Sequence, residues 1–144
     1  SFMAHKGEAE DKHLDLVLDD RSVTGDDCYA DMEPSDASLV FDNLIENAIM
    51  YTDEGSILVT FEPRGHEIAV IVQDTGIGIP QTDQSRIFER FYRVDKARSR
   101  EVGGTGLGLS LVRHAVERSK GRVSVKSNPG EGSQFTVVFP RAKR

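Results

Sequence analysis

The stretch Leu39-Val40-Phe41-Asp42-Asn43-Leu44-Ile45-Glu46-Asn47-Ala48-Ile49-Met50-Tyr51 decides the fold. Leu39, Val40, Leu44, Ile45, Ala48 and Ile49 recur at helical spacing, so one face is apolar and must be buried. Pro34-Ser35-Asp36 upstream supplies a helix start with Ser35 as N-cap, and Asp53-Glu54-Gly55 supplies turn chemistry that ends the helix near Thr52. Against the apolar face runs a polar stripe: Asn43 and Asn47 lie one turn apart, with Tyr51 a further turn along. Asparagine is a poor helix former, so two of them in mid-helix ask for a reason. An amide oxygen is a suitable hard ligand for Mg²⁺, although a stripe of this kind standing alone reads equally as a solvated face.

Downstream of this helix the period changes from 3.6 to 2. Residues 57–62 and 67–73 are β-rich runs around Pro63-Arg64-Gly65, which predicts an antiparallel hairpin. Asp74-Thr75-Gly76-Ile77-Gly78-Ile79-Pro80 follows directly. Its two glycines permit a ligand to approach the main chain, and Asp74 beside Ile77 and Ile79 is placed to accept a hydrogen bond from an exocyclic amine. Alone, the Gly-x-Gly is also a plain tight turn. Residues 83–104 are charged and irregular, with a short helix expected over 84–90, and a segment of this length inside a domain is functional or mobile.

Gly103-Gly104-Thr105-Gly106-Leu107-Gly108-Leu109 then opens a second amphipathic helix marked by Leu107, Leu111, Val112, Ala115 and Val116, ending at Lys120-Gly121. Backbone N–H groups of a glycine-rich loop at a helix N-terminus suit phosphate. It is neither a dinucleotide fingerprint nor a P-loop, because no parallel βαβ unit surrounds it and no Lys-Ser/Thr follows. Val123 and Val125, then Phe135, Val137 and Phe139, alternate as two strands around Asn128-Pro129-Gly130.

Working toward the N-terminus, residues 14–18 read as a short strand, with a second extended piece near 28–31. Residues 1–12 are polar and aperiodic and read as a poorly ordered tag or linker remnant, leaving residues 13–144 as one domain. The pattern of helices, hairpins and no regular βαβ alternation predicts an α+β fold: a two-layer α/β sandwich, a mixed sheet of about five strands with about three helices on one face.

Composition narrows the function. The chain has 144 residues, a net charge of −6, 38% hydrophobic and 29% charged residues, and a single cysteine, Cys28. An internal disulfide is impossible, and Cys28 carries no assigned role. Acidity argues against nucleic-acid binding. It also opposes a phosphate ligand: at an effective dielectric of about 20, one like-charge contact at about 5 Å costs roughly 3 kcal/mol. Local cations must compensate, and Arg86, Arg90, Arg93, Lys96, Arg98 and Arg100 supply them between the two glycine segments. Glycine at one end and charge throughout suit a lid over bound phosphates. No apolar run approaches the roughly 20 residues of a membrane-spanning helix.

Taken in order, the asparagine helix, the Asp74 loop, Phe88-Glu89-Arg90-Phe91-Tyr92-Arg93 and Gly104-Thr105-Gly106-Leu107-Gly108-Leu109 resemble the N, G1, F and G2 boxes of bacterial histidine kinase catalytic domains, of the PhoR or WalK type, within the ATPase superfamily that includes gyrase and heat-shock chaperones. The resemblance covers residues 14–140 and implies the Bergerat-type ATP-binding fold. It implies ATP and Mg²⁺ as cofactors, with Asn47 holding Mg²⁺, Asn43 supporting the phosphate end, Asp74 binding the adenine amine and Gly76, Gly78 and Ile79 shaping the base pocket. Tyr51 would line the cleft, Arg93 would reach the terminal phosphate, and Gly104, Thr105, Gly106, Leu107 and Gly108 would wrap the phosphates. Asn43 and Arg93 are thus the candidate catalytic residues, while Phe88 and Phe91 would anchor the lid and contact a neighbouring domain.

The acceptor histidine of such kinases is followed by an acid and then Arg and Pro, and none of His5, His13, His66 or His114 has that context. The resemblance therefore implies a cytoplasmic, monomeric catalytic piece of a membrane-anchored sensor, with a phosphoacceptor and dimerisation domain and a response regulator as partners. Another superfamily ATP hydrolase, a serine kinase or a non-catalytic nucleotide-dependent binding module would share the pocket. One departure stands out: members commonly carry lysine three residues after the Mg²⁺-binding asparagine, and here that place is Met50. Met50→Lys is expected to tighten ATP binding in calorimetric titration, and an unchanged affinity would show that the missing cation does not matter.

Overall fold

The computed structural model describes residues 2–19, 34–89 and 108–140. Its elements run α1 (Phe2–Asp11), β1 (Asp15–Asp19), α2 (Pro34–Met50), β2 (Ser56–Arg64), β3 (Glu67–Asp74), α3 (Gln81–Gln84), α4 (Gly108–Arg118), β4 (Arg122–Asn128) and β5 (Gly132–Pro140). The strands form one mixed sheet in the order β1-β2-β3-β5-β4, parallel between β1 and β2 and antiparallel elsewhere. This is the expected α+β sandwich. The extended piece expected near 28–31, and Cys28 with it, lie outside the described residues.

Register decides what each face of the sheet carries. Cross-strand partners share a face, so Val59, Val72, Phe135 and Val125 form one rung across β2, β3, β5 and β4. Phe61, Val70, Val137 and Val123 form the next. This face meets α2 and α4 in a core where Leu44, Ile45, Val59, Val112, Val116 and Val137 are completely buried. Toward the other end the same face continues as Ile57, Asp74, Ser133 and Ser127, so the apolar ladder ends in a polar rung.

Three local features depart from the sequence expectations. Residues 2–11, given no element above, form a helix that inserts Ala9 into the core. Its end is a left-handed turn at His13 (φ 62°), with Leu14 N–H returning to Ala9 C=O at 2.8 Å. Glycine ordinarily marks such a cap, and a histidine there gives no stop signal. The short helix expected over 84–90 instead covers Gln81–Gln84 and gives way to turns, with Ser85 as its C-cap. On α4 the buried stripe is Val112, Ala115 and Val116, whereas Leu111 lies off it at 43% exposed. That helix also ends on a left-handed residue, Lys120, while Gly121 is needed for space: a Cβ there would lie 2.3 Å from Val138 O.

Two polar contacts fix the helices. Arg118 at the end of α4 forms a bidentate ion pair with Asp36 in the first turn of α2. Lys12 Nζ donates to Ile49 O at 2.7 Å and Met50 O at 3.4 Å, capping the C-terminal carbonyls of α2. Leu44 of α2 is completely buried in the core, so Leu44→Ala is expected to cost about 3 kcal/mol, the usual scale for a buried leucine truncation, in urea unfolding monitored by circular dichroism.

Candidate functional site

The site is built on the end of β3. Its apolar run carries Asp74 onto the core face at the last rung, where the carboxyl is only 4% exposed. A carboxylate so placed needs donors, and it has two: the N–H groups of Gly76 (2.9 Å) and Ser133 (3.2 Å) both fall on Oδ1. Oδ2 is thereby left to accept from an incoming donor. Burial pushes the acid up to about 6, against the pull of the Gly76 and Ser133 amides in the other direction. A cavity of about 200 Å³ at this strand end is lined by Asp74, Ser127 and Ser133 together with Gln73, Lys126 and Gln134 of the opposite face, and by no residue of the loop 76–80.

The loop after Asp74 approaches its neighbours too closely for side chains. A Cβ on Gly76 would lie 2.1 Å from Tyr51 O and 2.9 Å from Thr52 Oγ1. Gly78, at φ +76°, would meet Asn128 O at 2.2 Å. Ile77 N–H donates to Tyr51 O at 3.0 Å, so the end of the polar stripe and the Asp74 loop are directly joined. Ile79 is buried, and its N–H donates to Ser127 Oγ at 2.7 Å.

On α2, Asn43 donates its Nδ2 to Leu39 O at 2.7 Å, which directs Oδ1 away from its own helix. That oxygen faces the start of α4, where a Cβ on Gly108 would come within 2.8 Å. Asn43 and Asn47 are both half-buried on the face that also leads to Tyr51. The structure thus brings together Asn43, Asn47, Tyr51, Asp74, Gly76, Gly78, Ile79 and Gly108. Arg93, Gly104, Thr105, Gly106 and Leu107, with Phe91, lie outside the described residues. Phe88, just before residues 90–107, packs edge-on against Phe135, with ring centroids 6.2 Å apart.

Sequence reasoning missed four polar residues here. Ser133 and Ser127 carry no motif and reach Asp74 only through strand register. Gln84, the last residue of α3, donates to both Ile79 O and Ser127 O at 2.9 Å, although it was read only as the start of a short helix in a charged stretch. Thr52 is fully buried beside Gly76, and its hydroxyl has no hydrogen-bond partner among the described residues. The one available signal was its place directly after the Asn43, Asn47, Tyr51 stripe.

The donor set suits a nucleotide. A buried acceptor walled by glycine backbone fits the amine edge of a base, and two half-buried amides one turn apart fit a hydrated Mg²⁺, which takes few protein ligands. Among the described residues no cluster of three or more His, Cys, Asp or Glu offers an alternative metal site, and no helix is long and apolar enough to cross a membrane.

Comparison with known proteins points the same way. Residues 32–143 match the model of the family described as histidine kinase-, DNA gyrase B-, and HSP90-like ATPase. The chain is 50% identical over 99 residues to the sensor-like histidine kinase SenX3 of Mycolicibacterium smegmatis, covering 68% of this chain and 26% of that protein. It is 44% identical over 115 residues to the phosphate regulon sensor protein PhoR of Pseudomonas aeruginosa, covering 78% and 26%. With the sensor histidine kinase WalK of Bacillus subtilis the figures are 37% over 135 residues, 91% and 21%. The chain therefore spans about a quarter of the length of these relatives. Among solved structures, the catalytic domain of histidine kinase ThkA superposes with a TM-score of 0.81 at 24% identity, over 99% of this chain and 90% of that one. Full-length ShkA in complex with AMPPNP gives 0.82 at 24% identity, over 99% and 28%. At this identity the two share the fold.

Asp74 yields a signed pH prediction. Its acid is at 3.8 ordinarily and about 6 when folded, so between those values the native state keeps a proton that the unfolded chain releases. Stability is therefore lost as pH rises from about 4 to about 6 and is flat above, the full penalty being about 3 kcal/mol. Asp74→Asn keeps an acceptor for both amides without the charge. Urea unfolding from pH 4 to 8 is expected to show the variant more stable than the parent at pH 7.5, with the difference vanishing toward pH 4; coincident curves would refute the assignment.

Proposed function

The chain belongs to the histidine kinase-, DNA gyrase B-, and HSP90-like ATPase family, and we propose that within a sensor kinase it binds Mg-ATP and delivers the γ-phosphoryl group to a histidine on a separate phosphoacceptor and dimerisation domain, for relay to a response regulator. The observation that carries this reading is Asp74: a buried carboxylate with Oδ1 saturated by two amides and Oδ2 open beside a glycine loop that admits no Cβ.

In this reading Asp74 Oδ2 accepts from the 6-amino group of adenine, and Gly76, Gly78 and Ile79 form the wall against which the base lies. Tyr51 closes the cleft from the end of α2. Asn47 would hold Mg²⁺, which supplies charge neutralisation at the phosphates, and Asn43 Oδ1, turned toward Gly108, supports the phosphate end. Arg93 and the glycines at 104, 106 and 108, with Thr105 and Leu107, complete the phosphate enclosure. The reaction asks little covalent work of the protein, because positioning and charge stabilisation supply most of the acceleration in phosphoryl transfer. What the chain's residues contribute is orientation and exclusion of water. None of its four histidines stands in an acceptor context, so the phosphoryl group leaves the domain.

Incubation with γ-labelled ATP, with and without the parent kinase's phosphoacceptor domain, tests this. Acid-labile, alkali-stable label is expected on the acceptor domain and none on this chain alone. No phosphohistidine from folded, ATP-binding protein would overturn the kinase reading, and label on serine would transfer it to the serine-kinase branch.

A further inference from the structure

We propose that Ser127, on the edge strand β4, is a positioning residue that aims the base-binding edge of Asp74 by locking Ser133 and the loop 76–80 into one hydrogen-bond hub. The proposal rests on the reading of Asp74 as the acceptor for the adenine amine.

Register supplies the arrangement: Ser127 lies opposite Ser133, and Ser133 opposite Asp74. A hydroxyl has one proton and two lone pairs. Ser127 Oγ donates that proton to Gly132 O at 2.8 Å and accepts the N–H of Ile79 at 2.7 Å. Its contact with Ser133 Oγ, also 2.8 Å, must then run from Ser133 to Ser127. All three positions on Ser127 Oγ are filled. Ser133 has its hydroxyl proton committed to Ser127 and its backbone N–H committed to Asp74 Oδ1. Ser127 thus governs Asp74 through Ser133 without touching it.

The same residue holds the loop 76–80. Ile79 is tied to Ser127 twice, by its N–H to the side chain and by its carbonyl through Gln84 Nε2, which also donates to Ser127 O. Gly130 N–H donates to Ile77 O at 2.7 Å, so the β4–β5 turn grips the loop at two points. Without the Ser127 hydroxyl, the Ile79 N–H loses its acceptor and the Ser133 proton is released. That proton then turns toward the carboxylate and competes with the base's amine for it. The damage should therefore fall on the 6-amino contact.

Calorimetric titration of the chain with ATP and with purine riboside triphosphate, which lacks the 6-amino group, separates this role from a merely structural one. Ser127→Ala is expected to weaken ATP binding about tenfold and the deamino analogue less than about threefold, so that discrimination between them narrows. Ser127→Thr, which keeps the hydroxyl, should retain the parent ratio. Equal losses for both ligands, or no loss, would overturn the proposal. Should Ser127→Ala fail to fold, the near-isosteric Ser127→Cys, a much poorer hydrogen-bonding group, carries the same test: a narrowed ratio supports the hub and an unchanged one refutes it. If the parent chain itself binds the two nucleotides equally, the adenine reading of Asp74 has failed, and the hub's role falls with it.

Discussion

The whole arrangement depends on strand register at one rung of the sheet. Side chains alternate along a strand, so a shift of one residue between β3 and β5 would move Asp74 and Ser133 to opposite faces. Nothing local to Asp74 prevents that shift. The apolar rung one step inward prevents it, because the slip would put Val59 and Val72 on one face and Phe135 and Val125 on the other, and the core would lose one of the two pairs. A carboxylate position is thus held by hydrophobic packing several ångströms away. The energetic asymmetry is consistent: the buried acid is itself unfavourable, so the native state needs the neighbouring apolar ladder to keep it there.

Around that rung the site is assembled from three directions. The end of α2 arrives through Tyr51, whose carbonyl takes the Ile77 N–H and blocks any side chain on Gly76. The β4–β5 turn arrives through Ser127, Asn128 and Gly130. The start of α4 arrives through Gly108 against Asn43, while the far end of the same helix is clipped to α2 by Arg118 and Asp36. Capping by Lys12 satisfies α2 carbonyls just before Tyr51, so the strand entry and the cleft share one anchor. The glycines act here mainly as absences of side chains at contact points between elements.

Much of this was legible in the sequence, for physical reasons that differ by element. Helix α2 and the β2–β3 hairpin were readable because burial of one face imposes a period, and the period survives in Leu39, Leu44 and Ile49 or in Ile57 and Val59. Asp74 was readable because an acid ending an apolar run before two glycines is a local pattern. Helix α1 was not, since Ala9 is the one residue placed in the core among those of its side chains that are described, and its stop is a left-handed histidine. Ser127 and Ser133 were not, because their meaning lies in pairing between strands distant from β3 along the chain. Leu111 misled for the reverse reason: it continues an apolar pattern at a position that the geometry of α4 leaves outside. The candidate residues between 90 and 107 lie beyond the described part of the structure.

Among the described residues β4 is the last strand of the sheet, and one of its ladders is open. An open ladder is a template on which another extended chain can pair. Its outward positions hold Arg122, Ser124, Lys126 and Asn128, all exposed, with Arg122 also engaged by Glu67 on β3. Charge on an edge of this kind discourages the addition of a foreign strand. In this molecule the same edge bears Ser127, so resistance to aggregation and the proposed organisation of the base pocket fall on one seven-residue strand.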